Sequence, residues 1–235
     1  NYLGEANQAI ITCLKSYIET MQDTLVVLVG PESVGKTHLL ASSVAYYESY
    51  YHSEIECAYF SLSELSASDL YHEYDEEERE SYFSGLLDYF ELFNFLALDD
   101  VDLWLNSFSG SHVDDAEKFL FNLFNHYKMN GKLLMITSKC PPGRLDIQLK
   151  DLKSRLQSGL LITLSDISDA EKENVLTSRA KLKGFLIDDE VAAFILKRSG
   201  RDIPALLKII DNLDKATLME KRKLTVPFVK KVLNW

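Results

Sequence analysis

The chain has 235 residues, 25 Lys and Arg against 36 Asp and Glu, and a formal net charge of −11, with 46% of its residues apolar. That length allows one full domain and a smaller companion, and that apolar share excludes a disordered chain. No apolar run reaches the roughly 18 residues a bilayer span needs and no signal peptide opens the chain, so a soluble cytoplasmic protein without a membrane partner is expected.

In chain order, apolar periodicity predicts a helix over Gln8–Glu19, a strand over Leu25–Val29, a helix over Lys36–Tyr50, and a strand over Glu56–Phe60. A helix over Glu80–Phe90, a strand over Phe95–Leu98, a helix over Asp115–Tyr127, a strand over Leu133–Thr137, a helix over Leu149–Leu156 and a strand over Leu160–Leu164 follow. The strands are short and continuously apolar, as in a parallel sheet buried on both faces. Strand–helix alternation with right-handed crossovers implies an α/β three-layer αβα sandwich with a five-stranded parallel sheet. Residues 166–235 carry no strand signal. Ser168-Asp169-Ala170-Glu171 is a capping box, and helices are predicted over Asp188–Arg198, Ile203–Met219 and Val226–Leu233, with Thr225 as N-cap and Pro227 in the first turn. The expected organisation is an α/β base over 1–165 and a small helical domain over 166–235.

Charge divides along the same line. Through Ser165 there are 11 basic and 25 acidic residues, net −14; beyond it there are 14 and 11, net +3. An acidic base repels a phosphate backbone and disfavours direct nucleic-acid binding. Glu64–Glu91 holds ten acidic residues around Asp75-Glu76-Glu77-Glu78, with Arg79 its only base; such a run reads as a solvated face, with an acidic docking surface as the alternative. Lys221-Arg222-Lys223 with Lys230 and Lys231 reads likewise, with an acidic protein partner as the alternative. Cys13, Cys57 and Cys140 lie too far apart for a disulfide framework or a cysteine zinc site and read as inert thiols. The five histidines, His38, His52, His72, His112 and His126, lack metal-ligand spacing.

The sharpest chemical signal is Gly30-Pro31-Glu32-Ser33-Val34-Gly35-Lys36-Thr37, which fits GxxxxGK[ST] directly after a strand and before a helix. Glycines let the backbone wrap with its N–H groups inward, the helix N-terminus adds positive potential, Lys36 meets the β- and γ-phosphates, and the Thr37 hydroxyl can ligate Mg²⁺. His38, next in line, packs near the same ligand. Phe95-Leu96-Ala97-Leu98-Asp99-Asp100 is an apolar strand ending in two carboxylates. With a P-loop upstream, Asp99 is a direct or indirect magnesium partner and Asp100 polarises an attacking water; on its own, such a pair caps the next helix equally well.

A P-loop, a strand ending Asp-Asp and a helical lid are similar to AAA+ ATPases, and several segments resemble the DnaA-related family. Asn1-Tyr2-Leu3-Gly4-Glu5-Ala6-Asn7-Gln8-Ala9 resembles its N-terminal box, which implies that Tyr2 and Leu3 contact adenine. Gly35-Lys36-Thr37-His38-Leu39-Leu40 resembles its P-loop ending, and Leu152-Lys153-Ser154-Arg155-Leu156 the box holding its arginine finger. The closing run from Arg222 to Leu233, with Cys140-Pro141-Pro142-Gly143-Arg144-Leu145 and the Lys183-Gly184-Phe185 turn, resembles the regulatory Hda branch. The initiator continues into a DNA-binding domain after its lid, whereas this sequence ends at Trp235.

The resemblance implies ADP or ATP with Mg²⁺ as ligands, and the DnaA initiator and the DNA polymerase sliding clamp as partners. It also implies nucleoid association through those partners. Hydrolysis by DnaA would be promoted and re-initiation of replication limited, with Arg155 acting in trans on the neighbour's nucleotide. The clamp-binding peptide is expected upstream of Asn1, the absence of an opening Met fitting further sequence there; Gln148-Leu149-Lys150-Asp151-Leu152 only superficially resembles one. Two positions depart from the family. Lys139 stands where an Asp senses the γ-phosphate, and Pro204 stands where the lid's sensor arginine is expected, with Arg201 three residues earlier as a substitute. Pro has no N–H or charge to offer a phosphate, so weak intrinsic hydrolysis is expected. An autonomous helicase-loader-type ATPase and a nucleotide-stabilised adaptor are the alternatives, and self-association stays open.

Overall fold

A computed structural model describes residues 5–21, 24–51, 56–65, 76–110, 112–199, 202–220 and 224–235. Tyr2, Leu3, His52, His72, Arg201, residues 66–75 of the acidic run and Lys221-Arg222-Lys223 lie outside them. The chain divides into two compact units, Ala9–Ser165 and Asp166–Trp235, and the described residues before Ala9 group with the second.

The larger unit contains most of α1 (Glu5–Thr20), then β1 (Leu25–Val29), α2 (Lys36–Tyr51), β2 (Cys57–Ser61) and α3 (Glu76–Phe90). β3 (Phe95–Asp99), α4 (Val101–Asn106), α5 (His112–Met129), β4 (Leu133–Ser138), α6 (Lys150–Ser158) and β5 (Leu160–Thr163) complete it. The strands form one five-stranded parallel sheet in the order β2-β3-β4-β1-β5. Side chains alternate across it. Leu25, Val27, Val29, Leu96, Leu98, Leu134 and Ile136 share one core with Phe90 of α3, Trp104 of α4, Phe119 and Leu123 of α5, and Leu152 and Leu156 of α6. Val26, Leu28, Phe95, Ala97, Leu133 and Met135 are also fully buried. Their phase puts them on the opposite face, where Tyr47 of α2 meets Phe95 with ring centroids 5.2 Å apart. Each such side chain removed from water contributes about 1.5–3 kcal/mol, which is why β1, β3 and β4 read as unbroken apolar runs.

Two helix starts and one additional helix differ from periodicity for a visible reason. α3 starts at Glu76, not Glu80, because Glu76, Glu77 and Glu78 occupy its first turn; carboxylates there complement the helix dipole although they add nothing to an apolar pattern. Part of the acidic run is thus helix-start chemistry. α5 likewise begins at His112, with Asp114 and Asp115 in its first turn. The six-residue α4 is too short for a period, and burial of Val101, Trp104 and Leu105 holds it in place.

The smaller unit is helical: α7 (Asp169–Leu182), α8 (Asp189–Arg198), α9 (Ile203–Glu220) and α10 (Val226–Leu233). Its own core holds Leu176, Ile195, Leu206, Ile210, Leu213, Phe228 and Val229. The capping box forms: the Glu171 N–H donates to Ser168 Oγ at 3.3 Å and the Ser168 N–H to Glu171 Oε2 at 2.7 Å. Thr225 precedes α10 but its side chain makes no capping bond. Pro204 lies in the first turn of α9, where a missing donor costs nothing. The Ala205 N–H beside it is capped by Asp202 Oδ2 at 3.1 Å.

Candidate functional site

The loop between β1 and α2 is anchored from both sides. The Gly30 N–H donates to Ser138 O at 3.2 Å, and the Leu164 N–H to Val29 O at 2.6 Å. This draws Leu164 so close that a Cβ on Gly30 would stand 2.5 Å from its carbonyl oxygen. Only glycine fits. Ser33 and Gly35 take φ of +63° and +96°, left-handed steps of the kind from which backbone N–H concavities that suit anions are built. Val34 is buried beneath, while Pro31, Glu32 and Ser33 face solvent.

Lys36 is 7% exposed. Its Nζ donates to Gly30 O at 2.8 Å and Pro31 O at 2.7 Å, so the loop carries a cation at its own centre. Burial pushes the ammonium pKa down, against the pull of Asp100, Asp102 and Asp99. Thr37 and His38 stand exposed on the first turn of α2.

Asp99 closes β3 at 1% exposure. Tyr59 Oη donates to its Oδ2 at 3.1 Å, and the Thr137 hydroxyl donates to its Oδ1. Thr137 in turn accepts the Asp100 N–H at 2.9 Å. One threonine therefore fixes both carboxylate-bearing residues. Asp100 occupies the N-cap position of α4 with φ of +57° and makes no side-chain cap there, so the capping alternative fails. Its pKa is raised by burial and by the neighbouring charges of Asp99 and Asp102. Asp102 is buried; its Oδ2 accepts the Lys139 N–H at 3.1 Å, and its Oδ1 has no hydrogen-bond partner among the described residues.

Lys139, the first residue past β4, pairs through its side chain with Glu32 of the loop. That pair raises the lysine pKa and lowers the glutamate's. Sequence reasoning placed Lys36, Asp99 and Asp100 together; it missed Tyr59, Thr137 and Asp102. The third acid of Asp99-Asp100-x-Asp102 and the hydroxyl at the end of β4 were the available signals, and Tyr59 offered none.

These residues suit an anionic, phosphate-bearing ligand: the backbone cradle excludes a side chain at Gly30, and Lys36 is buried with only neutral oxygen partners. Among the described residues no cluster of three His, Cys, Asp or Glu could hold a metal by itself. Mg²⁺ bound to a nucleotide draws most of its ligands from phosphates and water, so a nucleotide-borne ion does not require such a cluster.

Arg155 lies elsewhere, in the last turn of α6. Its guanidinium sits 6.0 Å from the Phe124 ring centroid, and Lys128 Nζ is also 6.0 Å from that ring. Phe121, Lys128, Asp151, Ser154, Arg155 and Ser158 line a hollow of about 350 Å³. Gln148–Leu152 is not an accessible peptide: the Gln148 and Leu149 N–H groups donate to the Glu117 carboxylate at 2.9 and 2.6 Å, and Leu152 is fully buried in α6. All three cysteines are free thiols, and burial pushes that of Cys57 up to about 11. Among the described residues no helix is long and apolar enough to cross a membrane.

Comparison with known proteins agrees with the geometry. The bacterial DnaA ATPase domain matches residues 4–163, and the Hda lid domain matches residues 169–233. An uncharacterised protein of Haemophilus influenzae is 34% identical over 236 residues, covering 100% of this chain and 92% of its own. Domain III of the Thermotoga maritima replication initiator DnaA superposes with a TM-score of 0.82 at 19% identity, covering 100% of this chain and 93% of that one. AMPPCP-bound DnaA from Aquifex aeolicus gives 0.69 at 20% identity, over 93% of this chain and 65% of that one. A Thermotoga maritima RuvB variant gives 0.68 at 17% identity, over 99% and 70%. At those identities the structural likenesses concern fold. A P-loop base followed by a helical lid, with the family matches covering both, places this chain in the DnaA-related AAA+ ATPase family, with a lid of the Hda type.

Proposed function

We propose that this protein is a nucleotide-bound regulator of the Hda kind. It promotes ATP hydrolysis by the DnaA initiator, acts together with the sliding clamp, and so limits initiation of chromosome replication from the cytoplasm, reaching the nucleoid through its partners. The observation that carries the reading is Arg155. It projects from α6 beside Phe124 and an open hollow, on a chain that also has an intact phosphate cradle at Gly30–Thr37. An arginine that stays charged and rests against an aromatic face needs little reorganisation to meet the charge that builds on a neighbour's transferring phosphoryl group. The Hda-type lid match supports the regulatory branch.

ADP or ATP with Mg²⁺ is the ligand this reading assigns to the loop. Lys36 and the backbone N–H groups hold the phosphates, Tyr2 and Leu3 the base, and Thr37 and Asp99 the ion. The AMPPCP held by a DnaA of the same fold supports an adenine nucleotide. In this reading Asp100 polarises the attacking water, while Lys139 at the sensor position and Pro204 in the lid leave intrinsic turnover weak.

Arg155→Ala tests the reading. The variant should fold and bind nucleotide like the parent while losing the stimulated hydrolysis in clamp-loaded DnaA assays, an effect on the order of 10³–10⁵ in rate for an arginine finger. Undiminished stimulation by the variant would refute the role of Arg155. Steady turnover by the pure protein at about 1 s⁻¹ or faster would point instead to an autonomous ATPase.

A further inference from the structure

We propose that Glu32 is a resident competitor for the terminal phosphate of a bound nucleotide: its carboxylate occupies Lys139, and a third phosphate takes Lys139 over by displacing it. The inference deepens the P-loop reading above and rests on it.

Strand order puts the two residues where this exchange can happen. β4 lies between β1, which runs into the phosphate loop, and β3, which ends at Asp99. In open parallel sheets ligands collect beyond the carboxyl ends of the strands. Lys139 follows β4 directly, and its ammonium pairs with Glu32 of the loop while the charges of Asp102 and Asp100 also act on it, so it is a candidate partner for the free end of a phosphate chain held by the loop.

The main chain of Lys139 is fixed. Its N–H donates to the buried Asp102 carboxylate at 3.1 Å. Its side chain is held only by Glu32, the sole hydrogen-bond partner of Nζ among the described residues, and Glu32 makes no other hydrogen bond there. The two loop cations therefore differ. Lys36 is satisfied by two main-chain carbonyls and is available to any phosphate chain that threads the loop. Lys139 is already matched to an anionic, two-oxygen acceptor, the same chemistry that a terminal phosphate offers with greater charge.

Exposure sets the direction of exchange. The Glu32 side chain is 73% exposed and that of Lys139 36% exposed. Exposed ion pairs are weakly held, and Glu32 can swing into water without uncovering apolar surface. It stays tethered to the loop, however, so its charge opposes the incoming phosphate even after release. Glu32 handicaps the third phosphate, Lys139 rewards it, and neither side chain is needed for the second.

The test is direct binding of N-methylanthraniloyl-ATP and N-methylanthraniloyl-ADP, with Mg²⁺, by fluorescence titration of the full chain at 0.15 M salt. Glu32→Gln should tighten the triphosphate by roughly three- to fivefold and shift the diphosphate by less than about 1.5-fold. Lys139→Gln should weaken the triphosphate by roughly tenfold and the diphosphate by less than about twofold. Both side chains are partly or largely exposed, so circular dichroism should show parental folds. Glu32→Gln that leaves the triphosphate-to-diphosphate ratio unchanged or lowers it, or Lys139→Gln that weakens both nucleotides equally, overturns the proposal. A parent chain that binds neither nucleotide overturns the P-loop reading and this one with it. The regulatory role stands or falls separately, through the Arg155 assay.

Discussion

Asp100 shows how a single residue carries a cost in this site. It sits at φ of +57°, half-buried, beside Asp99 and Asp102, and its carboxyl is pushed above the ordinary carboxylate range. A carboxyl whose folded pKa exceeds its unfolded one binds protons more readily when folded. Its contribution to stability is most favourable below the unfolded value near 4 and falls away as pH rises through the folded value. At neutral pH the ionised Asp100 is therefore destabilising. Asp100→Asn removes that charge, and Asn tolerates the left-handed backbone well. The variant should melt roughly 1–3 °C above the parent at pH 7.5, with the difference closing near pH 4. Thermal unfolding of both proteins at the two pH values checks the sign; a variant less stable than the parent at pH 7.5 would contradict it. At this scale Lys36, Asp99 and Asp100 were legible, because their chemistry is local: a cation inside a glycine loop and carboxylates at a strand end. Tyr59, Thr137 and Asp102 were not, since each earns its place from a hydrogen bond across strands or between a strand end and a helix.

At the scale of elements, the junction of β1 with the phosphate loop is the least forgiving point. Gly30→Ala would bring a Cβ to 2.5 Å from the Leu164 carbonyl oxygen, a main-chain atom that β5 cannot easily move. A loss of about 1–3 kcal/mol is expected, with the loop displaced and nucleotide affinity lowered in parallel. Gly85→Ala, within α3 with nothing within 4 Å of the added Cβ, is the control and should stabilise by about 0.5–1 kcal/mol through helix propensity. Chemical denaturation of the two variants reads both directions in one experiment. Strands were the most legible elements: Leu25–Val29 is placed to the residue because a strand buried on both faces must be apolar throughout. Helix starts were the least legible. Glu76–Glu78 and Asp114-Asp115 sit in first turns as acidic residues that complement the helix dipole and add nothing to an apolar pattern.

For the molecule as a whole, two units with separate cores divide an uneven charge. The base, net −14 through Ser165, faces a phosphate backbone with the wrong sign, and the lid's +3 is small. Duplex DNA of mixed sequence should therefore show no mobility shift with micromolar protein at 0.15 M salt. A shift that persists in that salt would show a concentrated basic surface that net charge conceals. The large-scale division into an α/β base and a helical remainder was readable from apolar pattern alone, because strands buried on both faces read as short unbroken apolar runs whereas helices show a 3.6-residue repeat.

The sequence by itself determined the phosphate loop, the apolar strands, the carboxylate pair and the helical remainder, since each is a short-range pattern. Tertiary structure alone decided which strand ends stand side by side. β1 is followed in sequence by β2 but flanked in the sheet by β4 and β5. That order, set by packing on both sheet faces, brings Thr137 to Asp99, Asp102 to Lys139, and Lys139 to Glu32, residues up to 107 positions apart. No local pattern encodes such pairs, because their energy exists only once the sheet has formed.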